Sequence, residues 1–138
     1  TFAPVKSNEI RSHELHTESF ELSASTAKAI NQAKAEGRRI VAVGTTSVRV
    51  LETVALNSPS LTATTGTTNI FIYPPREFKV VDALITNFHL PQSTLLMLIS
   101  AFSAPGQLNG REWIINIYEE AIREKYRFFS YGDAMLIL

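Results

Sequence analysis

Polar side chains that can do chemistry follow an apolar run near the middle of the chain. Gly44, Thr45 and Thr46 come directly after the run 40–43, and Arg49 lies about one helical turn later. A glycine turn into a hydroxyl-rich helix start exposes backbone N–H groups, which bind anions together with the positive helix end. Arg49 could add a bidentate contact to phosphate or carboxylate. The same pattern also suits an ordinary Thr/Ser N-cap, so both interpretations stay open.

A second polar group follows the nearly all apolar run Val80–Ile85 and contains Asn87 and His89. Ligands of open α/β sheets gather at the carboxyl ends of strands, which is where these two residues fall. A histidine there can act as general acid or base near neutral pH. The alternative is a loop histidine that packs beside Pro91 and hydrogen-bonds a backbone carbonyl.

The remaining histidines, His13 and His16, are one helical turn apart. With His89 as a third ligand they could form a metal site, as in a small metal-dependent hydrolase. Two histidines at this spacing are a weak signal, and no cysteine or aspartate pair strengthens it. The pattern therefore favours a chain without a metal site, with one histidine capping a helix and the other exposed.

The segment 126–133 alternates aromatic and charged residues, among them Arg127, Tyr131 and Asp133. Such rings can stack on bases while the arginine holds a phosphate. Equally, Phe128–Phe129 can belong to the core and the following residues can form a turn. From the physics of the segment alone, the core interpretation is favoured.

Apolar periodicity and capping signals predict the elements that must position these groups. Helices are expected at 23–36, after Gly44, at 93–102 and at 111–125, and strands at 19–22, 40–43, 69–73, 80–88 and 134–138, with a loop at 57–68. Wholly apolar strand runs are typical of parallel strands covered on both faces. We therefore predict one α/β domain with a mostly parallel, largely buried sheet flanked by helices.

Composition sets the limits on function. Thirteen basic and thirteen acidic residues give a formal net charge of zero, so composition offers no support for nucleic-acid binding. The absence of cysteine excludes disulfides, thiolate metal sites and a cysteine nucleophile. No apolar run is long enough for a membrane span, which predicts a cytoplasmic protein without membrane contact. The first residue is Thr1, and we expect the chain to be a fragment.

Several motifs in order resemble the S-adenosylmethionine:tRNA ribosyltransferase-isomerase family of queuosine biosynthesis. They are His13-x-x-His16-x-Glu18, Ala42-Val43-Gly44-Thr45-Thr46-Ser47-Val48-Arg49, Asp82-Ala83-Leu84-Ile85-Thr86-Asn87-Phe88-His89-Leu90-Pro91 and Tyr126-Arg127-Phe128-Phe129-Ser130-Tyr131-Gly132-Asp133. The resemblance runs through nearly the whole chain and departs at Pro74-Pro75, where the family usually has Pro-Gly. Family members are longer, so residues 1–138 would be the C-terminal portion of the catalytic domain of a larger two-domain protein, without its upstream region and small β-rich domain.

The resemblance implies a transferase that moves and isomerises the ribosyl group of S-adenosylmethionine, a co-substrate. The acceptor would be 7-aminomethyl-7-deazaguanine at the tRNA wobble position, and the products epoxyqueuosine-tRNA, adenine and methionine. Its catalytic residues would include a base that removes a proton beside the sulfonium, and its ligand-binding residues would line the same pocket. The catalytic candidates are His89, His13 and His16, and the binding candidates are Gly44, Thr45, Thr46, Arg49, Asn87, Arg127, Tyr131 and Asp133.

The parent protein is expected to be a monomer, whereas the fragment could self-associate through an exposed sheet edge or apolar face. The alternative to a transferase is a catalytically incomplete nucleotide or tRNA binding module.

Overall fold

The computed structural model describes residues 15–56, 58, 60–91 and 93–138. Four helices and five strands lie in this part of the chain. In order they are β1 (Glu18–Leu22), α1 (Ala24–Ala35), β2 (Val41–Val43), α2 (Thr45–Val54), β3 (Thr64–Thr68), β4 (Ala83–Asn87), α3 (Thr94–Ser103), α4 (Gly110–Arg123) and β5 (Ala134–Ile137). The predicted α/β class is confirmed.

The strands form two sheets, one mixed and one antiparallel. A three-stranded sheet has the order β2-β4-β5, in which β2 and β4 are parallel and β5 runs antiparallel to β4. A separate two-stranded sheet pairs β1 with β3 in antiparallel fashion. The expectation of a mostly parallel sheet was therefore wrong for the described strands, because an apolar run fixes burial and not direction.

One face of the three-stranded sheet is open among the described residues. Val43, Ile85 and Leu136 align across the three strands, and Val43 and Leu136 are 68% and 55% exposed. On the opposite face Ala42 and Leu84 are buried in the core. Within the described part of the chain, the prediction that the run 40–43 is covered on both faces is therefore wrong, since a strand with only one buried face can also be wholly apolar.

The strand expected at 69–73 does not form; instead β3 lies at Thr64–Thr68, within the predicted loop. Threonine is β-branched and favours strands, and the pairing places Phe20 of β1 opposite Gly66. The Phe20 ring lies 3.5 Å from the position that a Cβ at Gly66 would take, so the ring covers the glycine. Downstream, Ile72 is buried in the core without a ladder partner.

The helix boundaries follow their capping residues closely. The hydroxyls of Ser23 and Ser93 accept hydrogen bonds from the N–H groups of Thr26 and Leu96, at the starts of α1 and α3. Gly37 has φ +70° just beyond α1, as expected of a left-handed C-cap. The predicted helices at 23–36 and 93–102 are thus confirmed to within about one residue at each end.

The core lies where the helices meet β2 and β4. α2 contacts β2, β3 and β4, while α3 packs on α4. A Cβ at Gly110 would overlap the carbonyl oxygen of Ser100, so the close approach of α4 to α3 requires glycine there. Tyr118 of α4 meets Phe88, which follows β4, in an edge-to-face contact with ring centroids 5.4 Å apart. This contact brings α4 next to the end of β4.

Candidate functional site

Three of the predicted polar segments meet at one edge of the three-stranded sheet. Gly44 follows β2, and its N–H donates to the carbonyl of Ile85 in β4 at 2.8 Å. Asn87 ends β4 opposite Ala134 of β5, and its Nδ2 lies 3.5 Å from the carbonyl oxygen of Asp133. The carboxyl ends of the parallel strands thus adjoin the start of β5, which is the geometry that gathers ligands in α/β sheets.

A pocket with a cavity volume of about 310 Å³ opens at this edge. It is lined by the polar residues Asn87, His89 and Ser130 and by the apolar residues Phe88, Leu90, Leu95 and Phe129. Its size is at the lower end of the range of about 300–1,000 Å³ for small-molecule sites. A few polar groups on an apolar wall suit a flat heteroaromatic group with hydrogen-bonding edges.

His89 is held in this pocket at two points. Its Nε2 lies 3.0 Å from the hydroxyl of Thr86, and its backbone N–H donates to the hydroxyl of Tyr118 at 2.8 Å. Burial lowers the pKa of His89 from 6.5 to about 4, because desolvation disfavours the charged imidazolium. The ring is therefore neutral at pH 7.

Tyr118 supports the histidine from helix α4. It is 5% exposed, and burial raises its pKa to about 12, so the hydroxyl stays protonated. Its ring also makes an edge-to-face contact with Phe128, whose ring lies 5.0 Å from that of Phe88. The aromatic cluster fixes the backbone that carries His89. The sequence analysis predicted the helix that carries Tyr118 but did not assign the residue this role.

The segment 126–133 forms a loop closed by its own charges. Asp133 accepts hydrogen bonds from the backbone N–H of Arg127 at 2.7 Å and from its guanidinium at 2.9 Å. This pairing lowers the pKa of the Asp133 carboxyl. Tyr131, by contrast, is 99% exposed at the tip of the loop. Two of the three predicted ligand-binding residues thus engage each other, and the third is free to meet a partner.

The two phenylalanines of this loop have different surroundings. Phe128 packs against the core, as the core interpretation expects. Phe129 has φ +70°, donates its N–H to the carbonyl of Phe88 at 3.0 Å, and lies half-exposed on the wall of the pocket. A positive φ is uncommon for a residue with a Cβ and here turns the ring outward.

Arg49 lies away from the start of α2. It is 3% exposed, and its Nη1 donates to the carboxylate of Glu18 at 2.9 Å while its Nε contacts the carbonyl of Ile70 at 3.3 Å. Its Nη2 is buried and has no hydrogen-bond partner among the described residues. The structure therefore brings Arg49 to β1 and does not bring it to the pocket beside His89.

The turn before α2 has the conformation that a close backbone approach needs. Gly44 has φ +85°, and no side chain caps the first turn of the helix. Thr45 is buried, Thr46 is exposed, and the hydroxyl of Ser47 donates to the carbonyl of Val43 at 2.9 Å. The Thr/Ser capping alternative is not what forms, because none of these hydroxyls accepts from the helix start.

Glu52, a charged residue of the helix that follows Gly44, is not solvated. Its side chain is completely buried, and its carboxylate accepts hydrogen bonds from the backbone N–H groups of Lys79, Val80 and Val81 at 2.9–3.2 Å. These residues lead into β4. No local pattern reveals this contact, because the partners are 27 to 29 residues away.

Of the histidine pair His13 and His16, the structure describes only His16. His13 lies outside the described residues, and His16 is exposed just before β1. In the ranges that the structure describes, no group of three or more His, Asp or Glu side chains could hold a metal ion. The three-histidine site, which needs His13, stays a hypothesis.

Similarity to known proteins extends over nearly the whole chain. The family model described as queuosine biosynthesis protein matches residues 1–137. The chain belongs to this family. It is 58% identical over 137 residues to an S-adenosylmethionine:tRNA ribosyltransferase-isomerase of Nitratidesulfovibrio vulgaris, covering 99% of the chain and 35% of that relative. A relative of the same name from Natranaerobius thermophilus is 56% identical, covering 99% of this chain and 38% of that relative.

A solved structure also resembles the fold. The crystal structure of S-adenosylmethionine tRNA ribosyltransferase from Thermotoga maritima matches with a TM-score of 0.79 and 50% identity, over 87% of this chain and 40% of that one. This chain thus spans well under half the length of these relatives.

No helix in the described ranges is both long and apolar enough to cross a bilayer.

Proposed function

We propose that this chain is part of an S-adenosylmethionine:tRNA ribosyltransferase-isomerase of queuosine biosynthesis. The observation that carries the proposal is an identity of 56–58% over 99% of the chain to relatives of that name. In the proposed reaction the ribosyl group of S-adenosylmethionine moves to 7-aminomethyl-7-deazaguanine at the tRNA wobble position and isomerises, while adenine and methionine leave. S-adenosylmethionine is a co-substrate, no metal takes part, and the protein is cytoplasmic.

The pocket beside His89 is proposed to receive the nucleoside part of S-adenosylmethionine. The rings of Phe129 and Phe88 offer flat apolar surfaces, and the amide of Asn87 offers both a donor and an acceptor. His89 is neutral and therefore adds no positive charge beside a sulfonium. These features support binding of a cationic nucleoside better than binding of a bare phosphate.

The tRNA is proposed to approach from the loop 126–133. Tyr131 projects into solvent there and can stack on an unpaired base, while the Arg127–Asp133 pair keeps the loop closed. Gly44, Thr45 and Thr46 are proposed to hold an anionic part of the tRNA or co-substrate. Arg49 stays a candidate for ligand binding only where its guanidinium lies, buried against Glu18 of β1 and apart from this helix start. His13 and His16 stay candidates for the base.

Adenine release tests the reaction. S-adenosylmethionine is incubated with this chain and, in parallel, with a full-length relative, with and without tRNA that carries the deazaguanine. Release by the full-length relative alone supports the chemistry and shows that its additional region completes the site. A full-length His89→Ala variant with unchanged release contradicts the catalytic assignment of His89.

A second candidate is a nucleotide or tRNA binding module without catalysis. It is favoured by the exposed ring of Tyr131, which can stack on a base without any catalytic group. The open face around Val43 and Leu136 supports self-association of this chain, whereas the longer parent is proposed to be a monomer. Release of adenine by neither protein, with tRNA binding retained, favours the binding module.

Binding at the pocket is tested by calorimetry with S-adenosylmethionine. Asn87→Ala should weaken binding about fivefold to tenfold, which corresponds to one lost hydrogen bond. Asn116→Ala, an equal change on the exposed side of α4, serves as the control and should leave binding unchanged. Equal affinities of the two variants would place the nucleoside elsewhere.

A further inference from the structure

The hydroxyl of Thr86 is the partner that decides which nitrogen of His89 carries the proton. Thr86 lies in β4 on its buried face and is 6% exposed. The one hydrogen-bond contact that its hydroxyl makes among the described residues joins Oγ1 to Nε2 of His89 at 3.0 Å. A threonine hydroxyl both donates and accepts, so the distance alone permits two arrangements.

The two arrangements differ in what they leave unsatisfied. If Nε2–H donates to Thr86, the buried hydroxyl hydrogen has no acceptor within the described part of the chain. If Thr86 donates to Nε2, the ring proton lies on Nδ1, which is not among the buried unpartnered atoms of the described residues, so a ligand or solvent at the pocket that His89 lines can accept it. Because an unsatisfied buried donor is costly, the second arrangement is favoured.

We propose that Thr86 is a positioning residue that holds the neutral His89 ring as the Nδ1–H tautomer, so that His89 presents a hydrogen-bond donor to a ligand in the pocket. The ligand class is a group with an exposed nitrogen or oxygen lone pair, such as the edge of a purine. The identity of that ligand as S-adenosylmethionine rests on the proposed function. The tautomer itself depends only on Thr86 and His89.

Two further features agree with this assignment. The backbone N–H of His89 donates to the hydroxyl of Tyr118 at 2.8 Å, which holds in place the backbone from which the ring reaches Thr86. The low pKa of His89, about 4, keeps the ring neutral, and only a neutral ring has a lone pair on Nε2 to accept from threonine.

Nitrogen NMR of the chain labelled with ¹⁵N-histidine reads the tautomer directly. The chain has three histidines, and a His89→Gln variant assigns the ring signals of His89. The expected result at pH 7 is a protonated, pyrrole-type Nδ1 and an unprotonated, pyridine-type Nε2. Thr86→Val, which keeps the shape and removes the hydroxyl, should shift the ring toward Nε2–H, whereas Thr86→Ser should retain Nδ1–H.

Two NMR results would overturn the proposal. One is a pyrrole-type Nε2 in the unaltered chain, and the other is an unchanged tautomer in Thr86→Val. Thr67→Val makes the same substitution on the exposed side of β3 and controls for general effects on the fold. Amide spectra of each variant report whether it is folded, and Thr86→Ser keeps the test valid if Thr86→Val is not.

Calorimetric binding of S-adenosylmethionine then tests the donor role. Thr86→Val should bind about fivefold to tenfold more weakly than the unaltered chain, and Thr86→Ser about equally well. A switched tautomer with unchanged affinity would contradict the donor role. Absence of binding by the unaltered chain, together with the expected tautomer, would instead count against the pocket assignment in the proposed function and leave the role of Thr86 standing.

Discussion

Glu52 is the residue whose loss should most affect the placement of β4. Its carboxylate is fully buried and accepts from three consecutive backbone N–H groups, those of Lys79, Val80 and Val81. Oε1 accepts from all three, and Oε2 accepts from Lys79 at 3.0 Å. Glu52→Gln keeps one oxygen and replaces the other by an NH₂ group, which cannot accept.

The expected cost follows from these contacts. Hydrogen bonds to a charged group contribute about 1.5–3 kcal/mol each, against about 0.5–1.5 kcal/mol for neutral ones. Glutamine loses the bond at Oε2, sets a donor against the N–H of Lys79, and weakens the bonds at Oε1 by removing the charge. We therefore expect Glu52→Gln to lower the free energy of unfolding by about 2–4 kcal/mol, a large part of a typical total of about 5–15 kcal/mol.

Urea unfolding followed by far-ultraviolet circular dichroism measures this cost. Glu119→Gln, the same change at an exposed position of α4, is the matched control and should alter stability by less than about 0.5 kcal/mol. If the two variants unfold at the same urea concentration, the carboxylate does not hold the segment before β4, and the reasoning fails.

Three further predictions concern the site and its supports. Because burial lowers the pKa of His89 from 6.5 to about 4, the unfolded chain binds a proton where the folded chain does not. The contribution of the neutral ring to the free energy of unfolding is complete above pH 6.5 and is lost as the pH falls through about 4, by at most about 3 kcal/mol. Urea unfolding from pH 7 to 4 should therefore show a smaller loss of stability for His89→Gln than for the unaltered chain. Glu18→Gln removes the negative charge that pairs with the buried guanidinium of Arg49 and should lower the free energy of unfolding in urea by about 2–4 kcal/mol. Glu21→Gln on the same strand is the control and should cost almost nothing. Equal costs would contradict the importance of the Arg49–Glu18 pair. A Cβ at Gly132 would overlap backbone carbonyls of the loop 126–133, so Gly132→Ala should lower the melting temperature and cost about 1–3 kcal/mol of stability. Gly66→Ala, whose Cβ would meet only ordinary contacts, should not. A Gly132→Ala protein as stable as Gly66→Ala would refute the steric argument.

The helices were predictable because their determinants are local. Ser23, Ser93 and Gly37 mark helix ends by interactions within four residues, and the structure has the helices where these signals lie. The grouping of Gly44 and Asn87 at one sheet edge was also predictable, since parallel strands bring their carboxyl ends together.

The failures all involve partners distant in sequence. Whether the second face of β2 is covered depends on what packs there, which the run 40–43 does not encode. The pairing of Arg49 with Glu18 joins residues 31 positions apart, and a local motif assigned the guanidinium to the nearby helix start instead. The threonine-rich β3 was predicted as a loop because its own sequence lacks apolar residues. The apolar ring that covers Gly66 comes instead from its partner strand β1.

The pKa of His89 also limits which steps of the proposed reaction it can serve. An efficient general base has a pKa near the working pH, and a histidine whose pKa is about 4 is a weak base at pH 7. The same burial keeps the ring neutral, so the ring adds no repulsion in a pocket that is proposed to hold a positively charged co-substrate. If the reaction needs a base beside the sulfonium, that base is therefore better sought at His13, at His16 or in the region present only in the longer relatives. Under the proposed function, His89 then contributes by donating a hydrogen bond to the departing adenine, and Thr86 is the residue proposed to make His89 the donor.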